Sequence, residues 1–223
     1  MLIRIFLQGR SISQKLILSL LTVLAMLIAL LIHDFAQALV AYIFGDKTAK
    51  IQGRLSLNPM KYLEPFGTAA LLLFGIGWAK PSDIRAERFR RPRLGCALTS
   101  LTGPVANLFF GVLFTFPWLL CGIALQDKST AAVTYTGYFF ELLAIYCFSL
   151  GFFELLPIPS LDGARALGQI LPRKIRVAFE GFERYGLIVA GAAVLVFHYT
   201  GLADSLLGFA LDASARIWLP ILG

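Results

Sequence analysis

Residues 16–45 read LILSLLTVLAMLIALLIHDFAQALVAYIFG, a nearly unbroken apolar run. Wound as a helix at ~1.5 Å per residue it is ~45 Å long, enough to cross a hydrocarbon core of ~30 Å and emerge. Three polar side chains, His33, Asp34 and Gln37, fall in its second half. Gly45-Asp46 closes it with a C-terminal stop signal.

The rest of the 223-residue chain follows suit: 58% of it is hydrophobic and only 15% charged, against roughly a quarter charged in soluble domains. Further apolar segments cover 94–125, 131–157, 186–199 and 202–222. The expected fold class is an all-α polytopic membrane protein without a soluble domain. Phe66–Trp78 is apolar but too short to span, and Gly75 and Gly77 suit a re-entrant hairpin. Before it, Ile51, Gly53, Leu55 and Leu57 alternate with Lys50, Gln52, Arg54 and Ser56, so a small strand-containing insertion is expected at 46–65. The division that follows is an N-terminal arm (1–15), a membrane core (16–184) and C-terminal transmembrane helices (185–223). The apolar run after Arg4–Lys15 is too long for the h-region of a signal peptide, so it is expected to stay in the mature protein.

The formal net charge is +7. The basic residues sit in short loops between apolar helices, which fits positive-inside sorting and anionic lipid rather than nucleic acid. Cys96, Cys121 and Cys147 are odd in number and widely spaced, as expected of packing residues rather than a disulfide framework.

Three motifs carry chemistry. HDFAQ, residues 33–37, stands where a zinc protease would carry HExxH, and its i, i+4 spacing puts His33 and Gln37 on one helix face. In LLPIPSLDG, residues 155–163, two prolines break the helix and present Asp162 beside a glycine, where a carboxylate can complete a zinc site. Gly103-Pro104-Val105-Ala106-Asn107 places an amide at membrane depth among small residues.

In this order the motifs resemble the site-2 protease family of intramembrane zinc metalloproteases. ALVAYIFGDKTAK (38–50), GRLSLNP (53–59), PFGT (65–68) and GWAKP (77–81) also look like its bacterial short-form members. The similarity runs over roughly residues 20 to 172. The resemblance implies a zinc ion near the cytoplasmic side of a bacterial inner membrane and cleavage of the transmembrane segments of other proteins. It matches His33 to the first zinc histidine, Asp162 to the zinc aspartate and Asn107 to an asparagine that helps hold substrate or the transition state.

The chain also departs from that pattern. Asp34 stands at the general-base position of Glu, Gln37 at that of the second zinc histidine, and Glu154 where the family has Asn. Asp is shorter by ~1.5 Å, and a misplacement of ~1 Å can cost ~10²-fold. An amide oxygen is a poorer zinc donor than imidazole, and two strong ligands remain where three are usual. His198 is a replacement only if its helix folds back. Zinc is therefore expected weakly or not at all. The leading expectation is an inactive or impaired member that binds lipid and transmembrane or membrane-associated partners. The alternative is an active protease with an altered site, and a third reading is an ion path through His33, Asp34, Glu154 and Asp162. In each case His33, Asp34, Gln37, Asn107, Glu154 and Asp162 should converge, because polar groups at this depth cannot face lipid separately.

Residues 46–93 and 162–184 hold fifteen of the twenty Lys and Arg, which places both on the cytoplasmic side and the 126–130 turn outside. Arg4, Arg10 and Lys15 oppose this orientation and are outnumbered. Cysteines introduced at Arg90 and Lys128 are expected to label from opposite sides of the membrane; labelling of both from one side would refute the topology.

Overall fold

A computed structural model of the chain describes residues 11–53, 55–56, 58–80, 86–127, 130–172, 177 and 181–222. Most of the N-terminal arm, part of the basic 80–93 loop and Lys128 in the outer turn lie outside the described residues. Four helices are long and apolar enough to cross a membrane: α1 (Ile12–Ile43), α4 (Pro92–Asp127), α5 (Ala131–Glu154) and α8 (Leu202–Leu222). Between them come α2 (Thr48–Ile51), α3 (Pro65–Phe74), α6 (Asp162–Ile170) and α7 (Gly186–Tyr199). At 14 residues, α7 is ~21 Å long and shorter than the bilayer core.

Local chemistry sets the boundaries. Ser11 and Gln14 form a reciprocal capping box that starts α1. Glu64 caps α3 with Pro65 in its first turn, and Gly75, at φ 82°, closes it in the left-handed conformation. The Thr130 hydroxyl accepts from Val133 N and opens α5.

The buried face of α1 runs through Thr22, Ala25, Met26, Ala29, Leu30, His33, Asp34, Gln37, Ala38 and Ala41. This is one continuous seam at helical spacing. Its apolar half meets Leu71 of α3 and Leu142, Leu143, Tyr146, Cys147 and Leu150 of α5. Ala25 and Ala29 keep that approach close, as small residues do between membrane helices. α5 is the central helix, buried at nearly every position from Leu142 to Glu154. On its other flank Ala144 and Phe148 pack against Ala210 of α8, and Trp218 Nε1 donates to Val112 O of α4 at 2.8 Å.

The short apolar segment folds as a hairpin, as expected. α3 enters, and residues 75–80 return without helix, so that Lys80 N reaches Tyr62 O at 3.0 Å. Non-helical backbone at membrane depth needs partners from protein. Ser149 Oγ of α5 supplies one to Gly75 O at 2.6 Å. The two limbs touch backbone to backbone: a Cβ at Gly67 would lie 2.2 Å from Trp78 O, and one at Gly77 equally close to Gly67 O. The expected strand is not found, and there is no strand among the described residues. Thr48 N bonds Asp46 Oδ1 and begins the single turn of α2, Gly53 turns back at φ 66°, and Pro59–Lys61 is a 3-10 turn. Alternating side chains alone do not make a strand: without a neighbour to pair with, this backbone satisfies itself locally.

Replacing Gly67 by Ala should destabilise the protein by about 1–3 kcal/mol, because the added methyl meets backbone that cannot swing aside. A Cβ at Gly191 in α7 meets nothing within 4 Å, so Gly191→Ala should stabilise by up to ~1 kcal/mol through helix propensity. Thermal unfolding in detergent reads both, and shifts of the same sign would contradict the close approach.

Candidate metal-site remnant

Where the inner seam of α1 turns polar, His33, Asp34 and Gln37 are each about 2% exposed. His33 abuts α4 at Gly103, where a Cβ would stand 2.6 Å from its Nε2; any larger residue would displace the ring. One turn along, Asn107 Nδ2 lies 3.4 Å from His33 Nδ1. With the amide as donor to Nδ1, the ring proton sits on Nε2. There His33 donates to Asp162 Oδ2 at 2.9 Å. The Asn107 Oδ1 is buried and makes no hydrogen bond among the described residues.

Gln37 Nε2 donates to the same Asp162 Oδ2 and lies 3.5 Å from Ser100 O. That carbonyl is open for a reason. In an α-helix it would accept from the N–H four residues on, and that residue is Pro104, which has none. Pro104 thus creates an acceptor at membrane depth and Gln37 answers it. The same amide group lies 3.3 Å from His33 Nε2, and its two oxygen neighbours assign it as NH₂.

Asp162 begins α6 directly after the Pro157–Pro159 break. Its Oδ1 also lies 3.7 Å from Arg165 Nη1, three residues on. Ser160, at φ 83°, shapes the entry to the helix in a conformation that costs a non-glycine residue about 1–3 kcal/mol. Gly163 lets α6 sit against the end of α5, since a Cβ there would meet Leu155 O at 2.1 Å. Glu154, at the last turn of α5, accepts from Ala79 N at 3.2 Å and from Asp162 N at 3.4 Å. It thereby joins the re-entrant limb, α5 and α6 through one carboxylate.

His33, Asp34, Gln37, Glu154 and Asp162 line one cleft together with Trp78, Lys80, Ser160, Arg165 and the first turn of α7. Only about 10 Å³ of it is open to a water-sized sphere. Asn107 reaches this group through His33. The structure therefore brings all six sequence-predicted residues together. His198 is exposed and packs on Phe74, ring centroids 5.0 Å apart, away from the cleft. The three cysteines are free, Cys96 and Cys147 buried and Cys121 half-buried. Sequence reasoning missed Ser100 and Ala79, which act through backbone atoms; Pro104, four residues after Ser100, was the available signal for the first.

The chain is 40% identical over 167 residues, 75% of its own length and 76% of the relative's, to the Bacillus subtilis protein named "Putative zinc metalloprotease YwhC". It is 32% identical over 170 residues to the Mycolicibacterium smegmatis protein named "Putative zinc metalloprotease Rip2", covering 73% of this chain and 62% of that one. The Rip2 of Mycobacterium tuberculosis H37Rv is 30% identical over 167 residues, 61% of its length. The chain belongs to the site-2 protease family. No family model and no solved structure matches it.

Zinc in a site-2 protease needs donors that this cluster does not offer. Among the described residues no three His, Cys, Asp or Glu side chains gather into a metal-holding group. Gln37 turns its NH₂, not its carbonyl, to Asp162, and both Gln37 Nε2 and His33 Nε2 spend their hydrogens on one carboxylate oxygen. Ligation would require the amide to flip, giving up Asp162 and Ser100, and the imidazole to lose its Nε2 proton. The residues present do not fit a zinc ion.

Substituting Glu154 by Leu should orphan two buried N–H groups at about 1–3 kcal/mol each. Glu154→Gln keeps one acceptor and should cost about half as much. Chemical or thermal unfolding in detergent would reveal the ranking; equal losses would show that the carboxylate acts by volume rather than by its hydrogen bonds.

Proposed function

We propose that this site-2 protease family member is proteolytically inactive or strongly impaired, holds no structural or catalytic zinc, and acts by binding transmembrane or membrane-associated partners in a bacterial cytoplasmic membrane. One observation carries the reading: the Gln37 amide donates to Asp162 at the position of the family's second zinc histidine. The carboxylate that would hold a cation instead accepts from N–H donors. Asp34, one methylene shorter than the family's Glu, compounds the loss, because a retracted base activates a metal-bound water poorly. The polar cluster nevertheless remains assembled inside apolar helices, where such groups are costly. That cost supports a retained role for the scaffold, and its lipid-facing helices offer the surface for partner segments. Relatives named as zinc metalloproteases support the ancestry of the site.

Restoration tests the proposal. The wild-type protein should carry well under one zinc per chain and should leave a model transmembrane peptide intact. Gln37→His combined with Asp34→Glu should raise zinc content towards one per chain. A wild-type protein that holds one zinc and cleaves the peptide would overturn the proposal and establish an altered-site protease.

A further inference from the structure

The last helix carries charges that the polar cluster does not use. Asp212 is the central residue of α8, Leu202–Leu222, and Arg216 follows one turn later. The neighbours of α8 confirm the depth: Ala210 packs against Ala144 and Phe148 in the middle of α5. Both charged residues are exposed, and among the described residues neither makes an ion pair or hydrogen bond. The same face carries Ser205, Gly208, Phe209 and Leu219, all exposed. A Cβ at Gly208 would meet nothing within 4 Å. The opposite face, with Ala210 and Ser214, is the one buried against α4 and α5.

A charge at mid-bilayer facing lipid is costly and calls for a partner. An Asp–Arg contact within α8 would not suffice, because a carboxylate has about four acceptor sites and a guanidinium five donors. We infer that this face of α8 is the interface for a second copy of the chain. The charge pattern argues for a copy rather than a foreign helix. One acid and one base lie on one face, one turn apart, so the patch is neutral and complementary to itself. Copies inserted with the same topology are related by a two-fold axis along the membrane normal, so their α8 helices run parallel. Such an isologous contact makes every interaction twice. Asp212 of each copy is then level with its own counterpart and reaches diagonally to Arg216 of the other copy across a rise of ~6 Å, so that the four charges alternate in one cluster and both pairs form together. Ser205 and Gly208 allow the backbones to approach at the same face.

Disulfide trapping in native membranes tests this on the full chain. Gly208→Cys should yield an oxidised homodimer. Val105→Cys, on the exposed flank of α4, should not, and the wild type with its native cysteines sets the background. In the Gly208→Cys chain, Asp212→Arg or Arg216→Asp should lower the dimer yield by roughly 3- to 30-fold, the range for polar contacts between membrane helices. The double exchange Asp212→Arg with Arg216→Asp should restore it. A Gly208→Cys chain that stays monomeric, or that crosslinks only to another protein, overturns the inference. So does a double exchange that fails to recover the yield lost in the single variants. If a single exchange blocks insertion, the Gly208→Cys result with native charges still decides.

Discussion

The Asp162 carboxylate is buried between helices, about 5% exposed, where water does not solvate it. It must take its hydrogen bonds or its counter-charge from the protein. Much of the site follows from that demand. Two N–H groups from α1 converge on Oδ2, so α1 must present positions 33 and 37 on one face. The imidazole can reach the carboxylate only where α4 has no side chain, so Gly103 lies opposite. The backbone of Asp162 is held in turn by Glu154, whose second oxygen secures the re-entrant limb at Ala79. Four segments distant in sequence are tied to one another through two acids.

The same logic explains the distribution of glycine and proline. At Gly67 and Gly77 the two limbs of the re-entrant segment touch through backbone, and at Gly163 the start of α6 rests on the carbonyl that ends α5. Pro104 works in the opposite sense: it leaves a helical carbonyl without its donor, and the site consumes that carbonyl. A polar motif inside a spanning helix therefore cannot be understood residue by residue. Gly103, Pro104 and Asn107 respectively admit the imidazole, free an acceptor for Gln37 and hold Nδ1.

Much of this was legible in the sequence. The long spans declare themselves by apolar length, and the six polar residues by their cost inside those spans, which leaves convergence as the only economical arrangement. The re-entrant hairpin was legible from an apolar stretch too short to cross and from its glycines. Among the described residues near 49–57 the expected strand does not form, because alternation describes where side chains point and not whether a neighbouring strand exists. Ser100 and Ala79 contribute main-chain atoms, which every residue possesses, so composition carries no mark of them. The 14-residue length of α7 is visible in the sequence, whereas its first turn's place at the cleft depends on Gly186 meeting Ser160, a contact between segments with no shared motif.

Loss of a metal from such a site raises a problem of stability before one of catalysis. A histidine and an aspartate built around a cation leave, when the cation goes, a carboxylate and a lone pair facing one another in a medium that cannot relax around them. Removing the second histidine as well would leave the carboxylate with one donor. Glutamine at position 37 meets that demand: its amide nitrogen faces two acceptors, Asp162 and the carbonyl released by Pro104. The two departures from the family motif thus differ in kind. On the function proposed above, the change at 34 would weaken a reaction, whereas the change at 37 would rebuild a buried site so that it stands without an ion.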